Sequence, residues 1–331
     1  MNAIEVEVRP RSPFQLTRLT GGDRLFRATT RGFERLLIVD GAPVIARICR
    51  LPAGIYRFSA SAVMPESVTG PGCEELRDAG EADLAKAVDQ VRFSVGIDLD
   101  LRPIRDQFEK DPLLGPALTV PTPGRPSRRP QPWEALLWAI TEQLIEYKRA
   151  AGIQRRMIRK WGLSLSDGTS RATWNAGVNS LATVPSPEAV AGAAPAELEG
   201  CGLSARRSIA MIRVAREVAS GRVFPDDAHT DRRLLVIPEI GPWTVACLGL
   251  RGRGDPDALL AGDLSQMKLV GYIERLGRLA EVDEVEAFYQ KYAPWRGLAG
   301  EYLLAARGKT LHGSGNTVRI RSRAQRFPRA A

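Results

Sequence analysis

The stretch IPEIGPWTV, residues 237–245, breaks a short apolar run at Pro238, turns through Ile240 and Gly241, and restarts at Pro242 and Trp243. Upstream, Thr230 and Asp231 are placed to cap a short helix that Pro238 must end. Gly241 is expected to supply a turn conformation that residues with a Cβ resist, and Pro242 suits the first position of the next helix. The expected product is two helices joined by a tight hairpin, with turn N–H groups and the positive end of the second helix facing outwards. Such a surface attracts an anion, and a phosphodiester fits it without a charged side chain. From these residues alone an ordinary helical corner is the simpler reading. A carboxylate follows soon after: Asp263, preceded by Gly262, in the Gly- and Pro-bearing connection GDPDALLAGDLSQMKLVG.

Other chemistries are poorly supplied. The four cysteines, Cys49, Cys73, Cys201 and Cys247, lie far apart and form no C-x-x-C pair. That argues against a metal or iron–sulphur centre held by closely spaced thiolates and for reduced, mostly buried thiols in a cytoplasmic protein. No run of about 18 apolar residues predicts a membrane span, and the opening MNAIEVEVRP has no apolar signal core. The formal charge of +9 is concentrated: Arg307 to the end holds seven basic residues and no acidic one, and Arg125–Lys160 holds nine basic against three acidic. Patches of this kind suit a polyanion, although a solvated surface accounts for them equally well.

The elements that must position these residues are predicted as follows. The first hundred or so residues read as a sheet with helices. Ile4, Val6 and Val8 alternate with Glu5, Glu7 and Arg9, the period of a half-buried strand. RLLIVDGAPVIARICR reads as two strands joined at Asp40–Gly41, GIYRFSASAV as another, and Glu74–Val95 as a helix. A Pro- and Arg-rich joint, Pro121–Pro132, precedes a helical region. There Pro132 opens a helix with Trp133, Leu136, Leu137, Ile140, Leu144 and Tyr147 on one stripe. A further helix is capped by Ser204, carries Ile209, Ile212, Ala215 and Val218 along one side, and stops at Gly221. The expected class is α+β: a mixed β/α domain over residues 1–112, an all-helical domain over 113–308, and a basic, mobile tail over 309–331.

In order and at similar spacing, several segments resemble the helix–hairpin–helix DNA glycosylases, and within them 3-methyladenine-DNA glycosylase II. IPEIGPWTV resembles the hairpin, DPDALLAGDLSQMKL the loop with its aspartate, and GLSARRSIAMIRVAREVASG the helix before them. EALLWAITEQLIEY resembles the first helix of the catalytic domain, and YAPWRGLAGEYLL the closing one. The resemblance implies that Asp263 stabilises an oxocarbenium-like sugar, activates a water, or both. It implies that Trp243, with Gln143 and Tyr147, lines a pocket for a flipped base, where an aromatic face attracts a cationic alkylated purine. It also implies that Gln143 and Leu144 fill the gap left in the duplex, Leu144 as a wedge, and that Ile240, Gly241 and Thr244 contact the DNA backbone. Trp295 and Arg296 are expected to serve packing and closure. Related glycosylases that also cut the strand carry a lysine where Trp243 stands, so no Schiff base is expected.

Three departures from the family pattern stand out. Glu239 replaces the first of two hairpin glycines, Cys247 and Leu304 replace pocket aromatics, and the tail has no counterpart. The expectation is a hydrolase releasing 3-methyladenine and 7-methylguanine from double-stranded DNA, monomeric, with no organic cofactor or catalytic metal. A structural monovalent cation on the hairpin carbonyls is allowed by the resemblance alone. The alternatives are a non-catalytic DNA-binding or lesion-sensing protein and a glycosylase for deaminated or oxidised bases.

Overall fold

The structure is a computed structural model and describes residues 3–12, 14, 16, 25–119, 128–165 and 181–311. The basic tail from residue 312 and most of the Pro/Arg-rich joint, residues 120–127, lie outside the described residues. By its internal contacts the chain forms two compact units: Met1–Arg11, Leu16–Leu99 and Ser127–Gly254 in one, Ser12–Gln15, Asp100–Pro126 and Asp255–Ala331 in the other.

The first unit contains a five-stranded antiparallel sheet in the order β1-β5-β4-β3-β2. Its strands are β1 (Ala3–Val8), β2 (Arg27–Ala28), β3 (Gly32–Val39), β4 (Ala42–Arg50) and β5 (Tyr56–Ala62). β3 and β4 pair from Val39↔Ala42 outward across a two-residue turn in which Asp40 and Gly41 both have positive φ, 48° and 85°. This is the twist-compatible hairpin expected of Asp-Gly. Alternation predicts β1 correctly as a strand but not its burial. β1 is an edge, Val6 is 37% exposed, and Glu7 pairs with Arg57 of β5. The helix expected from Glu74 starts later, as α1 (Glu81–Val95), because Gly80 is its N-cap and the Asp83 carboxylate accepts from the Gly80 N–H. α1 packs on β1, β3, β4 and β5 through Leu84, Ala87, Val88 and Val91, all buried.

α4 (Pro132–Glu142) is the core helix of the same unit, with every residue from Trp133 to Thr141 buried. α5 (Tyr147–Trp161), α6 (Pro187–Ala191), α7 (Pro195–Gly200) and α8 (Ala205–Ala219) complete the layer. Leu136, Ile140, Met157, Met211 and Leu234 share one apolar cluster. At the base of α4 an ion pair replaces a hydrophobic contact: Arg35 of β3 donates through both terminal nitrogens to the two carboxylate oxygens of Glu134. The side chains are 2% and 0% exposed.

The second unit holds α2 (Arg102–Phe108), α3 (Leu114–Thr119), α11 (Leu264–Ile273), α12 (Val282–Tyr289) and α13 (Arg296–Leu311). Tyr289 and Tyr292 are buried at its centre. Tyr289 Oη donates to Gln266 Oε1 (2.7 Å), and Tyr292 Oη donates to the Asp111 carboxylate (3.1 Å). No helix among the described residues is long and apolar enough to cross a membrane.

Candidate functional site

The hairpin forms where it is expected, between α9 (Asp231–Leu235) and α10 (Pro242–Cys247), with Pro242 in the first turn of the second helix. A π-helical segment, Leu248–Arg253, prolongs α10. The capping differs from expectation. The Thr230 hydroxyl donates to the Phe224 and Asp227 carbonyls, and Asp231 takes a bidentate bond from Arg253. The turn is also built differently. Gly241 is extended, with φ −110° and ψ −179°, and a Cβ there would meet nothing within 4 Å. The left-handed residue is Glu239, φ 72°, at the position where the family pattern has glycine. Gly241 therefore contributes a bare, accessible backbone, whereas Glu239 carries the strain, on the order of 1–2 kcal/mol for a residue with a Cβ. The Ile240 N–H donates to Ile237 C=O and its side chain is buried. For the N–H groups of Gly241 and Trp243, no acceptor is found among the described residues. Trp243 is half-buried, with its indole nitrogen shielded from solvent and unpartnered.

Beside this turn the predicted stripe on α4 is interrupted. The helix ends at Glu142, so Leu144 and Tyr147 do not extend it. Leu144 instead takes φ 55° and is 103% exposed, an apolar side chain standing free on a tight turn. Tyr147 opens α5 and stacks on Trp138 (centroids 5.8 Å apart, planes at 11°). Gln143 reaches the hairpin through its side chain. Its Nε2 donates to Glu239 C=O (2.8 Å) and to Thr244 Oγ1 (3.0 Å). Thr244 is 1% exposed, so its hydroxyl lies inside the hairpin and not on its surface.

Arg207 of α8 was not singled out by the sequence, and no local signal marks it. Its Nη1 donates to Gln143 C=O (2.8 Å) and its Nε to Ser204 Oγ (3.1 Å). Ser204 occupies the N-cap position of α8, but its hydroxyl accepts that side-chain bond and makes no cap bond to the helix. Ile209, expected on the buried side of the same helix, is exposed because it faces away from the cluster containing Ile212 and Ala215. Burial, reinforced by nearby Arg149, holds the Arg207 guanidinium below its ordinary pKa.

The basic stretch around α4 and α5 is less available than its charge suggests. Arg128 stacks on Phe93, Arg129 lies over Trp138 and bonds Glu134, and Lys160 pairs with Glu197. Lys148 and Arg149, beside Leu144, are exposed.

In the second unit, Asp263 is the N-cap of α11. Its Oδ1 accepts from the Ser265 N–H (2.8 Å) and its carbonyl from the Met267 N–H. It is half-buried. The loop leading to it is pinned by Arg296, which makes a bidentate bond to Asp257 through Nε (2.9 Å) and Nη2 (2.6 Å). That guanidinium keeps the Asp257 carboxyl below the usual carboxylate range. Gly297 permits the approach, since a Cβ there would lie 2.2 Å from Ala258 C=O. Packing is thus the structural role of Arg296. Cys247 is buried and Leu304 half-buried.

No family model matches the chain. In sequence it is 28% identical over 268 residues to a Mycobacterium tuberculosis protein described as "Probable bifunctional transcriptional activator/DNA repair enzyme AlkA", covering 70% of this chain and 51% of that one. The chain therefore spans about half the length of that relative. It is 24% identical over 213 residues to the Bacillus subtilis DNA-3-methyladenine glycosylase, covering 62% and 67% of the two chains. In fold it is similar to a 3-methyladenine DNA-glycosylase from Archaeoglobus fulgidus, with a TM-score of 0.68 at 15% identity over 92% of this chain and 99% of that one. The resemblance to helix–hairpin–helix glycosylases, on their 3-methyladenine side, is thus borne out by the sequence relatives, and the fold agrees with it.

Proposed function

We propose, from this kinship with the 3-methyladenine-type helix–hairpin–helix DNA glycosylases, that the protein removes alkylated purines from duplex DNA by hydrolysis, leaving an abasic site. The observation that carries the reading is the exposed Leu144 on its left-handed turn, hydrogen-bonded through Gln143 to a hairpin with unpaired N–H groups. An apolar side chain standing free beside the hairpin is placed to act as a wedge between bases. An adjacent run of open N–H groups suits the phosphate of the same strand. In this reading the sheet and α1 are an accessory layer, and the helices from Pro132 onward carry the chemistry.

Each residue then has a task. The Gly241 and Trp243 amides bind the DNA backbone, aided by Lys148 and Arg149. Leu144 occupies the gap from which the nucleotide is everted, at a cost of roughly a few kcal/mol. Trp243 and Tyr147 offer aromatic faces to a cationic base. Asp263 stabilises the developing sugar cation and orients water. A methylated purine already bears positive charge, so its departure needs no strong acid. Trp243 offers no amine, so the reaction ends at hydrolysis. The structural monovalent cation that the resemblance allows would be held by the turn carbonyls of Ile237, Glu239 and Ile240, the first two of which also accept from the Ile240 N–H and Gln143 Nε2, and no step runs through it.

The deciding experiment is release of free base from duplexes carrying 3-methyladenine, 7-methylguanine, hypoxanthine or 8-oxoguanine. The first two are expected to be released, with no covalent DNA adduct trapped by borohydride. DNA binding without release of any base would instead make the chain a lesion sensor, and a trapped adduct would make it a strand-cutting enzyme.

Glu239 gives a separate expected outcome. Glu239→Gly relieves the left-handed strain but frees the unfolded chain, so a net stabilisation of about 0.5–1 kcal/mol is expected in thermal melts. The Arg206 partner of Glu239 is 3.8 Å away and largely exposed, so losing that pair costs little. With a carboxylate removed from a phosphate-facing turn, the affinity for undamaged duplex should rise about tenfold at low salt and less at high salt.

A further inference from the structure

Gln143 joins two segments almost a hundred residues apart. Its side-chain amide donates to Glu239 C=O and Thr244 Oγ1, on the two sides of the hairpin turn. Its own C=O receives Arg207 Nη1, which also reaches Thr141 C=O at 3.4 Å. The carbonyl it holds belongs to the one left-handed residue of the hairpin, and the next residue after Gln143, Leu144, is left-handed too. Two strained turns are therefore fastened to each other at one side chain. A side chain whose Nε2 is held by two acceptors of the hairpin is badly placed to enter DNA.

We propose that Gln143 is a positioning residue, the tie that makes the Leu144 turn and the Glu239–Thr244 turn move as one body, with Arg207 as its footing. The proposal rests on the reading above for what the two turns do, but not for the tie itself. Coupling follows from geometry. If a phosphate docks on the hairpin, the carbonyl that Gln143 holds fixes where Leu144 stands, so gripping the strand and filling its gap become a single event. The tie also explains how Glu239 keeps a conformation that a Cβ disfavours: its carbonyl is anchored from outside the hairpin.

The test begins with amide hydrogen exchange on the DNA-free protein, in which catalytic function plays no part. Gln143→Ala is expected to speed exchange in both 142–147 and 238–245 by about tenfold, equivalent to about 1.4 kcal/mol in each segment. Gln143→Glu, which keeps the length of the side chain but cannot donate, is expected to do the same, and Arg207→Ala to loosen 142–147. Circular dichroism establishes that each variant is folded. Unchanged exchange in 238–245 for folded Gln143→Ala and Gln143→Glu overturns the proposal.

The second arm is binding to a duplex containing a tetrahydrofuran abasic-site analogue. Leu144→Ala should weaken binding about tenfold in the parent and about twofold in the Gln143→Ala background, because an untethered wedge is already ineffective. Equal losses in both backgrounds overturn the coupling. Failure of the parent to prefer the abasic duplex would count against the glycosylase reading, while the exchange result still decides the tie.

Discussion

Asp263→Asn is expected to leave the protein as stable as the parent and to release methylated purines about a thousandfold more slowly than it. The substitution separates two jobs that one carboxylate holds. As N-cap of α11, Asp263 accepts from the Ser265 N–H, and asparagine fills that position about as well, so melting should shift by no more than about 0.5 kcal/mol. What asparagine lacks is charge. A carboxylate about 4 Å from a sugar cation, at an effective dielectric near 20, contributes about 4 kcal/mol, which corresponds to roughly a thousandfold in rate. The comparison is made by counting free base from methylated duplex under single-turnover conditions, after subtracting spontaneous depurination. Release by Asp263→Asn at the parent rate would reduce Asp263 to a cap and remove the mechanism. Loss of stability together with activity would mean that the cap contact was what mattered.

Glu134→Ala should destabilise the first unit by about 3–5 kcal/mol, the cost of leaving a buried charge unpaired. Glu134 is fully buried and Arg35 nearly so, and the Arg35 Nε already lacks an acceptor. Removing the carboxylate strands a guanidinium inside the structure, and Arg129, the other cation bonded to Glu134, loses a partner. Urea unfolding followed by tryptophan fluorescence reads the change. The double variant Arg35→Met/Glu134→Leu is expected to recover most of the loss, because replacing both members of a buried pair by apolar groups removes the desolvation cost along with the attraction. If the double variant were as unstable as Glu134→Ala, packing around α4, and not the unpaired charge, would be the cause.

The legible parts of this chain are those governed by neighbours in sequence. The Asp40–Gly41 hairpin, the helix starts at Pro132 and Pro242 and the stop at Gly221 follow from the φ preferences of one or two residues. They stand where expected, whereas the helix expected to run up to Pro238 already ends at Leu235. Asp263, expected within a Gly- and Pro-bearing connection, is also a helix cap, its Oδ1 accepting from the Ser265 N–H. Periodicity was less dependable where a helix stopped early: Leu144 and Tyr147 fit the α4 stripe by number but lie beyond its end.

What only the tertiary structure decided is which group each polar atom meets across the chain. Nothing local to Glu239 predicts that it, and not Gly241, takes the left-handed conformation, because Gln143, 96 residues away, holds its carbonyl. The pairing of Arg35 with Glu134 spans 99 residues, and that of Arg251 with Glu142 spans 109. Several of the basic residues that read as a polyanion patch are likewise spent on partners brought close only by folding. Backbone preference is a property of a residue and its neighbours, so the amino-acid order determined the Asp40–Gly41 turn, the helix starts at Pro132 and Pro242 and the stop at Gly221. Hydrogen-bond and ion-pair partners are chosen by proximity in space, so the contacts between the two turns and the set of basic residues without such partners came from the fold.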